Sequence, residues 1–114
     1  MTFAKPFTNL EKIQLLQRSI LVNSYAYYEL NDNLLSDFQY DANARQLVDL
    51  MRSYPNEAKK SRYHKYFRDY CPESNDTHYT SGFDLLARLE KDKKLYKIVS
   101  HDAHLALKLK KERQ

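Results

Sequence analysis

Tyr27-Tyr28-Glu29-Leu30-Asn31-Asp32-Asn33-Leu34-Leu35-Ser36-Asp37-Phe38-Gln39-Tyr40-Asp41 is the stretch on which the fold turns. Asn31-Asp32-Asn33 breaks a helix, because short polar side chains compete for backbone hydrogen bonds and tolerate turn geometry. Ser36 or Asp37 then caps a second helix, with Gln39 three residues past the serine in the order of a capping box. Two helices joined by so short a loop form an antiparallel hairpin. Asp37 and Asp41 stand one helical turn apart with Tyr40 beside them, so the corner can present carboxylates and phenols together.

Upstream, Thr8 and Glu11 have the spacing of another capping box. Leu10, Ile13, Leu16, Ile20, Tyr27 and Leu30 then recur in a 3–4 rhythm that Asn23 or Ser24 interrupts. This predicts a helix over about residues 9–31 with one side buried. Downstream, Tyr40, Ala44, Leu47, Met51 and Tyr54 keep one face, widened by Val48 and Leu50. Pro55 ends the run, since the residue before a proline is pushed out of helical geometry. The second helix is therefore expected over residues 37–54.

A third helix is expected from Asn56, carrying Tyr63, Tyr66 or Phe67, and Tyr70, unless the tyrosine-rich Ser61–Tyr70 runs extended. Residues 71–80 are dense in Asn, Asp, Ser and Thr and read as a loop. Thr80 or Ser81 can cap a segment beginning near Phe83 with Leu85, Leu86 and Leu89 on its apolar side. A last stripe follows at Leu95, Ile98, Val99, Leu105 and Leu109; the charged run Glu90–Lys94 is either a solvated turn or a joint. Residues 83–111 are one helix or two, and two suit a domain of this size better. The fold class is all-α: a helical hairpin extended by two or three further helices into a small bundle, one domain over residues 1–114.

Composition agrees. One glycine and three prolines in 114 residues leave few glycine-dependent turns, which favours helices over a sandwich or barrel. Cys71 is the single cysteine, so no intramolecular disulfide forms. No apolar run approaches the roughly 20 residues needed to span a bilayer, and the N-terminus lacks the order of a signal peptide. The expected compartment is the cytoplasm.

The net charge of +4 is unevenly placed. Glu29, Asp32, Asp37, Asp41 and Asp49 outnumber Arg45 and Arg52 in residues 22–54, whereas Lys59, Lys60, Arg62, Lys65 and Arg68 outnumber Glu57 and Asp69 in residues 55–70. Lys108–Arg113 adds a second basic region. Such a molecule can bind nucleic acid, an acidic protein, or its own acidic half in a homodimer. For nucleic acid the candidate contacts are Lys59, Lys60, Arg62, Lys65 and Arg68 on phosphates, with exposed tyrosine stacking on bases. The opposing reading makes Tyr63, Tyr66 and Tyr70 a core stripe and the lysines its solvated face.

Catalytic and metal chemistry find little support. Cys71, His78, His101 and His104 match no closed zinc motif, and no serine or cysteine sits in a recognisable nucleophile context. No glycine loop is available to cradle phosphate. The expectation is a protein without enzyme activity and without a metal.

Tyr25-Ala26-Tyr27-Tyr28, then Ser36-Asp37-Phe38-Gln39-Tyr40-Asp41, then Leu47, Leu50 and Tyr54-Pro55 together resemble the small N-terminal Ia domain of bacterial NAD-dependent DNA ligases. That family carries Y-x-Y-H, a short loop, S/P-D-x-x-Y-D and a leucine-rich helix ending near proline. The resemblance implies a corner that binds the nicotinamide mononucleotide (NMN) half of NAD, with Tyr27, Tyr28, Asp37, Tyr40 and Asp41 as the ligand-facing residues. Tyr28 stands where the family has histidine, and tyrosine can stack and donate a hydrogen bond but lacks imidazole's protonation behaviour. The family's K-x-D-G adenylation motif is absent from this sequence. Gly82-Phe83-Asp84-Leu85 followed by Arg88-Leu89 resembles small ligase-related proteins of phages and mobile elements.

Taken together, the sequence predicts a small non-catalytic binding protein that engages a protein partner, with modulation of a host nucleic-acid or defence enzyme as the special case the phage resemblance implies. NAD or NMN binding without catalysis, and DNA or RNA binding, are the alternatives. The acidic end of the second helix and Lys59–Arg68 are both expected to be exposed.

Overall fold

The computed structural model describes residues 7–32, 34–67, 70 and 82–113. The expected loop at 71–80, the caps at Thr80 or Ser81, and Arg68, Cys71 and His78 lie outside the described residues, as do the side chains of Asp37, Phe83 and Leu86. Among the described residues six helices follow in order: α1 (Asn9–Glu29), α2 (Asp37–Ser53), α3 (Pro55–Lys60), α4 (His64–Phe67), α5 (Gly82–Glu90) and α6 (Lys93–Glu112). The fold is an all-α bundle.

α1 starts at the expected capping box: the Glu11 N–H donates to Thr8 Oγ1 at 3.1 Å, and the Thr8 N–H donates to Glu11 Oε1 at 3.2 Å. It is the central helix and packs against α2, α3, α5 and α6. That position makes its buried side broad. Ile13, Gln17, Ile20 and Ser24 form one buried row, and Leu21 and Tyr25 form a second that faces other neighbours. Tyr27 leaves the stripe and is exposed.

The helix ends where Leu30 and Asp32 both return N–H bonds to the Ala26 carbonyl, at 3.2 and 3.0 Å. Asn31 between them has φ 52°, a left-handed geometry that asparagine tolerates better than most residues. Ser36 and Gln39 close the second capping box and start α2, which buries Ala44, Leu47 and Val48 against the core.

The expected third helix is two short ones, and α1 supplies the reason for the break. Gln17 Nε2 donates to Ser61 Oγ at 3.0 Å, while Gln14 Oε1 accepts from the Arg62 backbone N–H at 3.0 Å. Ser61 Oγ in turn donates to the Ala58 carbonyl at 2.6 Å. These side-chain bonds accompany a change from the α-helical ladder to short backbone bonds, Ser61 N–H to the Ala58 carbonyl and His64 N–H to the Ser61 carbonyl, both at 3.2 Å, and Pro55 at the first position starts α3.

Residues 82–112 form two helices with a joint at Lys91-Asp92. Asp92 caps α6 by accepting the Leu95 N–H at 3.2 Å and also accepts the Tyr66 hydroxyl at 2.7 Å. Arg88 Nη1 donates to the Tyr66 carbonyl at 3.0 Å, so α4, α5 and α6 meet at this tyrosine.

The register of α6 differs from the expected stripe. Val99, Ala103 and Leu107 face the core, whereas Ile98, Leu105 and Leu109 are exposed. Tyr25 sets that register: its hydroxyl accepts from Ser100 Oγ at 3.0 Å, and its ring meets Tyr96 edge-on at 5.4 Å.

Candidate functional site

The α1–α2 corner encloses a pocket of about 200 Å³ lined by Asn23, Ser24, Tyr27, Tyr28, Leu34, Leu35 and Tyr40. Its walls follow from the local structure. The last two turns of α1 supply Asn23 to Tyr28, the loop released by Asn31 returns Leu34 and Leu35 across the opening, and the first turn of α2 contributes Tyr40. The space takes one aromatic ring system of a ligand rather than a whole dinucleotide.

Tyr27 and Tyr28 lie edge-to-face, with centroids 4.9 Å apart and an interplanar angle of 86°. They remain 53% and 47% exposed, so aromatic surface is open to a ligand. Desolvation holds the Tyr28 phenol above its ordinary pKa, and neighbouring Tyr40 and Tyr27 add to the shift. Tyr28 is therefore neutral across the physiological range and acts as a donor and stacking surface, not as a base. Tyr40 is fixed by a 2.9 Å hydrogen bond with Ser24 Oγ. Tyr70 lies close beneath this corner, where burial and then Tyr40 raise its phenol far above the usual range.

Asn23 is the unusual wall residue. Its Nδ2 donates to the Ser19 carbonyl at 2.7 Å, which fixes the orientation of the amide. Its Oδ1 is buried and has no hydrogen-bond partner. A buried acceptor left unmatched is destabilising by about 1–3 kcal/mol, a cost that a ligand N–H would relieve if a small movement of the wall let it reach the atom.

Of the residues singled out from sequence, Tyr27, Tyr28 and Tyr40 share this pocket, Asp41 is exposed and does not line it, and Asp37 opens α2. Residues 37–41 are helical. Sequence reasoning missed Asn23, Ser24, Leu34 and Leu35 as wall residues. The available signal was the polar interruption of the α1 stripe at Asn23 and Ser24.

Lys59, Lys60, Arg62 and Lys65 are exposed on α3, α4 and the turn between them, whereas Tyr63, Tyr66 and Tyr70 are buried. These tyrosines are core residues, so their rings are not presented for stacking on bases. His104 Nδ1 donates to the Ser100 carbonyl at 2.8 Å, a bond within α6. Among the described residues, no group of three His, Cys, Asp or Glu converges on a point that would hold a metal. No described helix is long and apolar enough to cross a membrane.

The chain is 39% identical over 46 residues to the DNA ligases of Thermotoga petrophila, Thermotoga maritima and Thermotoga neapolitana. The similarity takes in 40% of this chain and 7% of each ligase, so the chain spans less than a tenth of the relatives it matches. No family model matches the chain, and no solved structure matches it. What is established is a distant, partial similarity to bacterial DNA ligases.

Proposed function

We propose that this chain is a non-catalytic binding protein whose α1–α2 corner takes up the nicotinamide ring of NMN or NAD. The observation that carries the reading is the ring-sized pocket walled by Tyr27, Tyr28 and Tyr40 with the unmatched Asn23 Oδ1 on its side. A nicotinamide ring offers a flat π face, a delocalised positive charge and a carboxamide N–H. The tyrosine faces attract the ring by stacking and cation–π contact, worth about 0.5–2 kcal/mol, and Asn23 Oδ1 accepts the carboxamide N–H for about 1 kcal/mol more.

The resemblance of the corner's residues to the ligase Ia domain favours the same ligand, and the distant, partial similarity to bacterial DNA ligases is in keeping with it. The sequence carries no K-x-D-G lysine to receive an adenylyl group, and Tyr28 replaces the histidine with a neutral phenol. The bound nucleotide is held, not consumed.

Titration calorimetry with NMN, NAD and ATP tests this. NMN and NAD are expected to give saturable heat at millimolar concentration, with the ring and carboxamide contacts supplying about 1.5–3 kcal/mol of the binding energy. ATP, whose adenine carries neither the ring charge nor a carboxamide, binds at least about tenfold more weakly. Absence of heat with millimolar NMN would sink the reading.

A further inference from the structure

α6 carries two apolar rows, and among the described residues only one is packed into the core. Val99, Ala103 and Leu107, spaced four apart, are buried against the core. Ile98, Leu105 and Leu109 form the second row and stay 43%, 46% and 45% exposed. With half-buried Leu95 and with Asp102 they complete a 3-4-3-4 repeat, the spacing by which one helix packs along another. From Ile98 to Leu109 the row runs about 16 Å along the axis at 1.5 Å per residue, room for three layers of interdigitating side chains.

The surroundings of the row are also specific. On the core side, Asp102 accepts both Arg18 Nε and Arg18 Nη2, tying the row to α1. One turn earlier on α1, Leu15 is 51% exposed. On the outer side, Lys94, Lys97, His101 and Lys108 follow the row along its length, all exposed. The face is thus a narrow apolar seam with an ion pair at its centre and a basic outer margin.

We infer that this face of α6 docks an amphipathic helix of another protein, one with apolar residues at 3–4 spacing and a flank of aspartate and glutamate. The basic margin selects the charge of the partner. Two copies of α6 meeting face to face would set lysine against lysine, so the seam does not suit a second copy of this chain. A lipid surface fits less well, because interfacial helices present a broad apolar face, while this row is one side chain wide and carries the Arg18–Asp102 pair in its middle. Helix-on-helix packing accommodates one polar position in such a seam.

Synthetic two-heptad peptides provide the probe: leucine at the 3–4 positions with glutamate flanks, and the same peptide with lysine flanks. Fluorescence anisotropy on the full chain is expected to show saturable binding of the glutamate peptide. Affinity should fall at least tenfold for the lysine peptide, at least tenfold for Leu105→Glu, and severalfold between low and high salt. Both Leu105→Glu and the gentler Ile98→Ser change exposed positions, so far-UV circular dichroism and melting should match the parent for each.

Light scattering and co-sedimentation with phosphatidylglycerol vesicles complete the test. A dimer or vesicle binding that Leu105→Glu abolishes would assign the face to a second copy or to lipid, and so overturn the inference. No saturation by the glutamate peptide, or equal binding by the parent, Leu105→Glu and Ile98→Ser, would overturn it as well.

Discussion

Asn23→Leu should make the protein more stable and worse at binding, two changes of opposite sign from one side chain. Three effects set the stability change. The substitution deletes the 2.7 Å bond from Nδ2 to the Ser19 carbonyl, a loss of about 1 kcal/mol. It also removes the buried Oδ1 that has no partner, a relief of about 1–3 kcal/mol. Leucine further favours the helix over asparagine by about 0.5 kcal/mol. Ser19 lies four residues earlier in α1, so its carbonyl keeps the helical bond from the residue 23 N–H and is not orphaned. The net is a gain of roughly 0.5–2.5 kcal/mol by these values. For a chain of this size that corresponds to about 2–10 °C in Tm. Binding moves the other way, because the ligand carboxamide loses its acceptor: about 1 kcal/mol, or roughly fivefold in Kd for NMN. Thermal unfolding followed by circular dichroism, paired with calorimetry, measures both. A destabilised Asn23→Leu would mean that Oδ1 is satisfied in the folded protein, and the argument for a waiting acceptor would be refuted.

Tyr28→His should introduce a pH dependence that the parent lacks, since the Tyr28 phenol is held above its ordinary value and stays neutral. With histidine in place, affinity for the cationic nicotinamide ring is expected to fall below about pH 6.5 as the imidazole gains charge, and calorimetry at three pH values reads it. Gln17→Leu should be neutral or stabilising, because it removes a buried amide whose Oε1 has no partner, whereas Gln17→Ala leaves a cavity and lowers stability by about 2–4 kcal/mol; urea denaturation separates the two. Asp92 has a pKa lowered first by the Tyr66 hydroxyl and then by the Leu95 N–H. Its charge therefore stabilises the fold above the ordinary carboxylate range, and that contribution is lost as pH falls through the lowered value. The Tm difference between the parent and Asp92→Asn should be widest near pH 7 and close below about pH 4.

Local signals were the legible ones. Thr8–Glu11 and Ser36–Gln39 specify helix starts with their own side chains, and both caps stand where the sequence places them. The hairpin followed from these caps and from Asn31, whose left-handed backbone ends α1. Tertiary contacts decided what was not legible. α6 offers a 3-4-3-4 row at Leu95, Ile98, Asp102, Leu105 and Leu109 and a 4-4 row at Val99, Ala103 and Leu107, and pattern alone does not rank them. Tyr25, far away in sequence, selects the second through Ser100 and Tyr96. Likewise Gln14 and Gln17 break the expected third helix at Ser61, which a helical period over Tyr63, Tyr66 and Tyr70 cannot foretell. At the corner, the three tyrosines were legible by resemblance, but the polar wall at Asn23 and Ser24 looked only like a flaw in an apolar stripe.

Nuclear magnetic resonance of the isotope-labelled chain titrated with NMN tests the central claim most directly. Ring resonances of Tyr27, Tyr28 and Tyr40 and the side-chain amide of Asn23 should shift together along one saturating curve, with those of Tyr63 and Tyr66 unmoved. Saturation that leaves the corner resonances in place and moves others would put the ligand elsewhere, and no shift at millimolar NMN would mean that this pocket does not recognise a nicotinamide nucleotide.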